Sequence, residues 1–135
     1  MEIVGIGTDI VECVRIGRMI EQHGELFLTR VYTPWEIRYC QSRKNSTEHF
    51  AGRWAAKEAI LKCLGTGWRK GIGWTDMEIR NNSQGAPMVS LCGMAKETAD
   101  QLGISAVLIS ISHCRAYATA YGMAVNGGIP QSLQE

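Results

Sequence analysis

Residues 50–67 of the chain read FAGRWAAKEAILKCLGTG, and they decide how the rest of the sequence is interpreted. At about 100° per residue, a helix over this stretch places Glu58 on one strip with Ala51, Ala55 and Lys62. The adjoining strip carries the large apolar side chains Phe50, Trp54, Leu61 and Leu64. We expect the small neighbours to leave room for a ligand or metal ion to reach Glu58.

The end of this helix has two interpretations. The run from Gly65 through Thr66 and Gly67 lets backbone come close to a ligand, but Gly65 also stands where a C-cap glycine belongs. Glu58 and Lys62 are spaced i,i+4 in the favourable order, as in an ordinary solvated pair worth about 0.2–0.5 kcal/mol. A ligand site and a plain surface pair both stay open on this stretch alone.

A second carboxylate lies near the N-terminus. The β-branched run that begins at Glu2 predicts a strand ending at Thr8 and Asp9, where an amphipathic helix starts. Asp9 could cap that helix, or it could be an oxygen ligand on a rigid element. Two carboxylates beside a lysine suit Mg²⁺ with a phosphate, because Mg²⁺ is held by one or two carboxylates, waters and substrate oxygens.

The third candidate group is His113. Residues 106–125 predict two strands joined by a tight turn at residues 112–115, and this turn contains the histidine. A histidine there can donate to a phosphate or take up a proton near neutral pH. It can equally well form a hydrogen bond within its own loop.

Composition limits the class of protein. A chain of 135 residues that is 45% apolar makes one domain with a real core, and 14 basic against 13 acidic residues exclude a broad nucleic-acid-binding surface. Five cysteines without a Cys-x-x-Cys pair indicate free thiols in a reducing compartment and no zinc site. No leader and no long apolar run is present, so we expect a cytoplasmic protein that does not enter a membrane.

The pattern of segments predicts an α+β fold. Expected strands lie near 2–9, 74–80 and 87–91, with two more within 105–125, and expected helices near 12–23, 25–30, 33–43, 47–64 and 92–102. The turn at 81–85 joins two strands as a hairpin, which favours α+β over βαβ units. We expect one domain over residues 1–126 and a flexible tail over 127–135.

Together these segments resemble the holo-acyl-carrier-protein synthases, the short class of 4′-phosphopantetheinyl transferases. The matching stretches are 7–12 (GTDIVE), 50–59 (FAGRWAAKEA) with Lys62 and 65–67 (GTG), 74–79 (WTDMEI), 85–91 (GAPMVSL) and 110–113 (SISH). Their order and spacing extend over nearly the whole chain. The resemblance implies the fold of that family, an antiparallel sheet packed with one long helix and shorter helices.

The resemblance also implies a Mg²⁺-dependent reaction with a role in fatty acid biosynthesis. The phosphopantetheine group of coenzyme A moves to a serine of an apo acyl carrier protein, and adenosine 3′,5′-bisphosphate is released. In this site Asp9 and Glu58 would hold Mg²⁺, and Lys62 and Gly65 would lie at the phosphates. The residues assigned to an outer phosphate of coenzyme A or to a subunit contact are Arg53 and Lys57.

The general base has three candidates. Glu58 itself, a metal-bound water relayed through Glu58, and His113 are all chemically able to accept the serine proton. Our hypothesis is Glu58 or its water, with His113 and its neighbour Ser112 binding coenzyme A.

Partners follow from the resemblance as well. Arg15 and Arg18 share one arc of the first helix, opposite Ile16, and this arc is either a dock for the acidic carrier protein or an ordinary solvated face. A homotrimer with shared sites would let Asp9 and Glu58 of one subunit meet His113 or the Pro87 region of its neighbour. Trp68 and Trp74 flank a glycine-rich loop and either serve such an interface or close the core.

Two other classes of function stay open. One is a Mg²⁺-dependent hydrolase of nucleotide pyrophosphates, which would use water in place of serine and need no protein acceptor. The other is a non-catalytic binding module in which Asp9 caps a helix and Glu58 pairs with Lys62. Such a module would bind without turnover and would not respond to EDTA.

Overall fold

A computed structural model describes residues 1–65 and 71–128 of the chain. The helices are α1 (Cys13–His23), α2 (Glu25–Val31), α3 (Pro34–Gln41), α4 (Ser46–Leu64) and α5 (Gly93–Gln101), and the strands are β1 (Glu2–Glu12), β2 (Met77–Asn81), β3 (Pro87–Leu91), β4 (Ala106–His113) and β5 (Tyr117–Asn126). The predicted α+β class is confirmed.

Two antiparallel sheets frame the molecule. One has the strand order β1-β5-β4, and the other is the predicted hairpin of β2 and β3. Helix α4 lies at the centre, because twelve of its 19 residues are buried. Its C-terminus is set by Gly65, whose φ of 72° is the left-handed conformation of a C-cap glycine.

Glycines let α4 approach the three-stranded sheet closely. A Cβ on Gly7 would lie 2.3 Å from the carbonyl oxygen of Ala59, and one on Gly122 would lie 2.8 Å from the sulfur of Cys63. Ala51 and Ala55 are fully buried and help to fill the interior. These alanines therefore serve close packing of the core, and whether a ligand reaches Glu58 depends on the half-buried position of Glu58 itself.

Two predicted boundaries also need correction. Strand β1 continues beyond Asp9 to Glu12, because its pairing with β5 extends to the Glu12–Tyr117 pair. Asp9 therefore lies within the strand and does not cap α1. The stretch Trp74–Asp76 is a single 3₁₀ turn, and β2 begins only at Met77.

The remaining boundaries lie close to the predicted ones. The expected tail over 127–135 lies outside the described residues beyond Gly128, as do Thr66, Gly67 and Trp68 of the glycine-rich loop. Trp74 contacts Trp54 with 4.4 Å between ring centroids and the rings tilted by 32°, and it packs against the core. Among the described residues, no helix is both long and apolar enough to cross a membrane.

Candidate functional site

Asp9 and Lys62 meet where β1 crosses α4. The ammonium nitrogen of Lys62 lies 2.7 Å from the carbonyl oxygen of Thr8 and 3.4 Å from Oδ1 of Asp9. The Lys62 side chain is 53% exposed and that of Asp9 18% exposed. Glu58, one turn before Lys62 on α4, is half-buried. An acid–lysine cluster thus forms at an accessible edge of a rigid helix–sheet contact.

The packing explains why these groups converge. Gly7 contacts the backbone of Ala59 and the Cβ of Lys62, and Asp9 follows two residues later on the same face of the strand. Glu58 directly precedes Ala59 on the helix. Asp9 and Glu58 are therefore carried by the strand and the helix next to a point of close approach.

The donor set suits one kind of metal site. In the part of the chain that the structure describes, no cluster of three or more His, Cys, Asp or Glu side chains could enclose a metal ion. Two carboxylates at an open edge do fit a hydrated Mg²⁺ that takes its other ligands from water and substrate phosphate. Asp9 and Glu58 are the residues that would hold it.

His113 lies elsewhere, at the end of β4. Its Nδ1 is 2.9 Å from Oε1 of Glu48, and its ring meets that of His49 edge-on with 4.8 Å between centroids. The hydrogen bond to His113 lowers the pKa of Glu48, and burial lowers the pKa of His49. Within residues 1–65 and 71–128, His113 is held by the first turn of α4 and not by a side-chain hydrogen bond to its own loop.

Arg53 faces the same region from α4. A cavity of about 220 Å³ is lined by Arg53, His113 and Pro87, among others. The Arg53 guanidinium lies 4.4 Å from the ring centroid of Tyr39 and donates to Asn81 over 2.5 Å. Its Nε is buried without a hydrogen-bond partner among the described residues. A ligand acceptor in the cavity would satisfy this orphaned donor.

Lys57 is a structural residue, which corrects the expectation of an outer phosphate or subunit contact. The side chains of Lys57 and Glu36 are completely buried, with Nζ 2.7 Å from Oε1. Nζ also donates to the carbonyls of Val31 at 2.6 Å and Trp74 at 3.2 Å. Burial lowers the pKa of Lys57, and the neighbouring Glu36 opposes that shift.

The predicted site residues thus fall into two groups. Asp9 contacts Lys62 near the end of α4, where Gly65 follows, and Glu58 lies one turn before Lys62 on the same helix, whereas Arg53 and His113 line one cavity. Ser112 precedes His113 on β4, so its side chain lies on the opposite face of the sheet. The described geometry of one chain does not bring Ser112 into either group.

On α1, Arg15 and Arg18 are exposed, while Cys13 and Ile16 of the opposite arc are buried.

Several partners were missed by sequence reasoning. Glu48, His49, Tyr39 and Asn81 contact Arg53 or His113, yet no spacing rule links positions this far apart. The burial of Lys57, in contrast, is indicated by the sequence. It lies seven residues from both Phe50 and Leu64, which places it on the buried face of α4.

Comparisons with known proteins agree on one family. Residues 5–122 match the family model described as the 4′-phosphopantetheinyl transferase superfamily. The chain is 46% identical over 121 residues to a holo-[acyl-carrier-protein] synthase of Rhodopirellula baltica, covering 90% of this chain and 96% of that protein.

Two crystal structures of such synthases are also similar. The one from Neisseria meningitidis has a TM-score of 0.83 at 33% identity, covering 93% of this chain and all of the other. The one from Helicobacter pylori, in complex with coenzyme A, has a TM-score of 0.79 at 32% identity and covers 89% of this chain and 99% of the other.

Proposed function

The chain belongs to the 4′-phosphopantetheinyl transferase superfamily as an enzyme of the holo-[acyl-carrier-protein] synthase type, and from this premise we propose its reaction. It transfers the 4′-phosphopantetheine group of coenzyme A to a serine of an apo acyl carrier protein and releases adenosine 3′,5′-bisphosphate. The observation that carries the proposal is the position of Lys62 Nζ beside Asp9, on the helix that presents Glu58 one turn away.

Breaking a pyrophosphate requires that its charge be neutralised and its phosphorus aligned with the serine. Mg²⁺ held by Asp9 and Glu58 would polarise the phosphate oxygens when bound. Lys62 adds positive charge at the same edge. This charge is needed because the C-terminus of α4 carries negative partial charge and cannot itself attract a phosphate. Gly65 presents backbone without a side chain next to the phosphates.

The serine proton needs an acceptor. Glu58 lies on a rigid helix one turn from Lys62, so its carboxylate or a water that it orients can take that proton close to the reacting phosphate. His113 is held by Glu48 in a separate group, which supports a binding role for it. Glu58 or its water is therefore our proposed base.

A second set of residues would hold the outer part of coenzyme A. Arg53 has an unsatisfied Nε at a cavity that His113 also lines, and both can donate to phosphate or nucleobase acceptors. Ser112 remains a proposed contact from the other face of β4. Arg53 and Lys62 are about 13.5 Å apart along α4 at a rise of 1.5 Å per residue. One extended ligand, or two subunits, must span that separation.

Two subunits are the arrangement we favour. The face of the three-stranded sheet turned away from α4 exposes a row of large apolar side chains: Ile6, Ile10, Tyr117 and Tyr121. Exposed apolar patches of this kind mark interaction surfaces. A homotrimer built on this face would let the Asp9 group of one subunit approach the His113 group of the next.

The carrier protein would dock on α1. Arg15 and Arg18 are exposed on one arc of this helix, and the Arg15 guanidinium lies 5.6 Å from the ring centroid of Trp54 on α4. Positive charge held beside the site suits an acidic carrier. We place the reaction in the cytoplasm and in fatty acid biosynthesis, as expected from the family.

The test is intact-mass spectrometry of an apo acyl carrier protein incubated with this protein, coenzyme A and Mg²⁺, with EDTA as the control. We expect the carrier to gain the mass of one phosphopantetheine group, and EDTA to abolish that gain. Coenzyme A cleaved without modified carrier would instead support the pyrophosphate hydrolase. Binding of coenzyme A with neither cleavage nor modification would support a binding module.

A further inference from the structure

Glu48 and His49 enclose the His113 ring from the first turns of α4. Glu48 Oε1 is 2.9 Å from His113 Nδ1, and the ring of His49 packs edge-on against the His113 ring at an interplanar angle of 66°. Glu48 and His113 are 65 residues apart in the chain, so this contact ties the end of β4 to α4. The His113 ring is thus held by two neighbouring residues of α4.

The chemistry of the contact fixes a proton. An ionised carboxylate only accepts hydrogen bonds, and the bond to His113 lowers the pKa of Glu48, which is therefore ionised at neutral pH. Nδ1 of His113 must then carry the hydrogen, whether the ring is neutral or charged. Nε2 is the nitrogen left to meet a ligand in the 220 Å³ cavity that His113 lines.

His49 contacts the His113 ring but does not itself carry a positive charge that would compete for the Glu48 carboxylate. Burial lowers the pKa of His49, with His113, Arg43 and Arg53 acting in the same direction and Glu48 against it. His49 is therefore neutral at pH 7. It also packs edge-on against Tyr39 at 5.8 Å, and Tyr39 in turn lies under the Arg53 guanidinium. A chain of edge-on ring contacts thus links His113 through His49 and Tyr39 to Arg53.

We propose that Glu48 is a positioning residue for coenzyme A. It holds His113 by Nδ1 so that Nε2 is presented to a phosphate oxygen of the ligand, while His49 keeps the ring plane aligned with Arg53. This inference rests on the proposed function, because the ligand of the cavity is taken to be coenzyme A. Its role is in binding, and Glu48 touches neither the ligand nor the reacting atoms.

Two readouts test the proposal. Long-range ¹⁵N–¹H spectra of the ligand-free protein should show Nδ1 of His113 protonated, and Glu48→Ala should remove that preference. The same variant should raise KM for coenzyme A about 10-fold while kcat changes less than about threefold, since His113 loses the charged acceptor that orients its ring and no reacting group is altered. Glu48→Gln keeps an acceptor oxygen and should recover part of the affinity.

A double-mutant cycle separates positioning from mere stability. If Glu48 acts through His113, adding Glu48→Ala to His113→Ala should cost no further affinity for adenosine 3′,5′-bisphosphate. Asp100→Ala, which breaks the exposed pair with Lys96, is the matched control and should change nothing. Additive losses in the cycle, or an unchanged tautomer in Glu48→Ala, would overturn the proposal.

The proposed function can fail separately from this inference. Failure of the wild-type protein to modify any carrier would refute the transferase reaction. The nitrogen spectra and the titration with adenosine 3′,5′-bisphosphate need no turnover. The spectra and the titration would therefore still support or refute the proposal that Glu48 orients His113.

Discussion

Two lysine–carboxylate pairs on different sides of α4 contain the same chemical groups but differ in role: one is buried in the core, and the other lies at the candidate site. The pair of Lys57 and Glu36 is completely buried at 2.7 Å, whereas Lys62 and Asp9 are partly exposed at 3.4 Å. Lys57 also donates to two backbone carbonyls and Lys62 to one. The lysines lie only five residues apart, so burial, and not residue type, decides which charge is available to a ligand.

The difference follows from solvation. A charge removed from water must be fully paired, and Glu36 meets that demand by accepting from the backbone nitrogens of Thr33 and Ile79 as well as from Lys57. These bonds join α3, α4 and β2 into one unit. At the exposed edge water can replace any partner, so Lys62 is able to exchange Asp9 for a phosphate.

The largest expected effect comes from making one substitution on both sides of the helix. Lys57→Met leaves the Glu36 carboxylate buried and unpaired, and we expect a loss of about 3–5 kcal/mol in the free energy of unfolding. Lys62→Met should cost less than about 1 kcal/mol while abolishing most transferase activity. Urea denaturation at one fixed protein concentration measures the first quantity, and carrier modification measures the second.

The buried pair of Lys57 and Glu36 can be tested further with a second substitution. Adding Glu36→Gln to Lys57→Met removes the buried charge and keeps an acceptor oxygen, so part of the lost stability should return. Equal unfolding free energies for the two methionine variants would show that the comparison between the sides of α4 is wrong.

Much of the secondary structure around these lysines can be predicted from sequence, whereas the remaining features depend on residues that are distant in the chain. The helix around Glu58, its end at Leu64 and the β2–β3 hairpin follow from local periodicity and turn residues. The extension of β1 to Glu12 does not, because pairing with Tyr117 sustains it. Nor could the Glu36 partner of Lys57 be deduced, since no local rule selects it.

The candidate site divides in the same way. Residue type and family resemblance predict Asp9, Glu58 and Lys62 as site residues. The fold places Asp9 and Lys62 in contact. The contacts of His113 with Glu48 and His49 needed the tertiary structure. Their roles in catalysis and binding remain predictions that the variants test.

The second effect in size concerns Glu58, the carboxylate on the exposed side. Glu58→Gln keeps the shape but loses the charge, so we expect kcat/KM for carrier modification to fall about 10³-fold through loss of base and metal ligand. The free energy of unfolding should change little. Glu97→Gln on α5 is an exposed control that should keep full activity. Normal metal binding with full turnover in Glu58→Gln would refute the assigned role.

A smaller effect should come from Gly7, the glycine that lets β1 lie close to α4 beside Asp9. Gly7→Ala would put a Cβ 2.3 Å from the Ala59 carbonyl oxygen, so β1 must move away from α4. We expect a loss of about 1–3 kcal/mol in stability and weaker Mg²⁺ binding, seen as a higher Mg²⁺ concentration at half-maximal activity, because Asp9 moves with the strand. Gly17→Ala within α1 meets only an ordinary contact at 3.4 Å and should instead be neutral or slightly stabilising. Unchanged unfolding and metal titration in Gly7→Ala would contradict the close-packing argument.

The smallest effect should arise where charge is most exposed, on α1. Reversing Arg15 and Arg18 to glutamate should slow modification of an acidic carrier about 10-fold at low salt and less at high salt, because rim charges mainly steer association. Affinity for coenzyme A should stay unchanged, since neither arginine lies in the two residue groups of the site. Reversal of both Arg30 on α2 and Arg38 on α3, which are also exposed, makes the same change in net charge and is the control. An equal loss for carrier and coenzyme A, or a loss that salt does not change, would mean that α1 supports the fold of the site and not the docking of a partner.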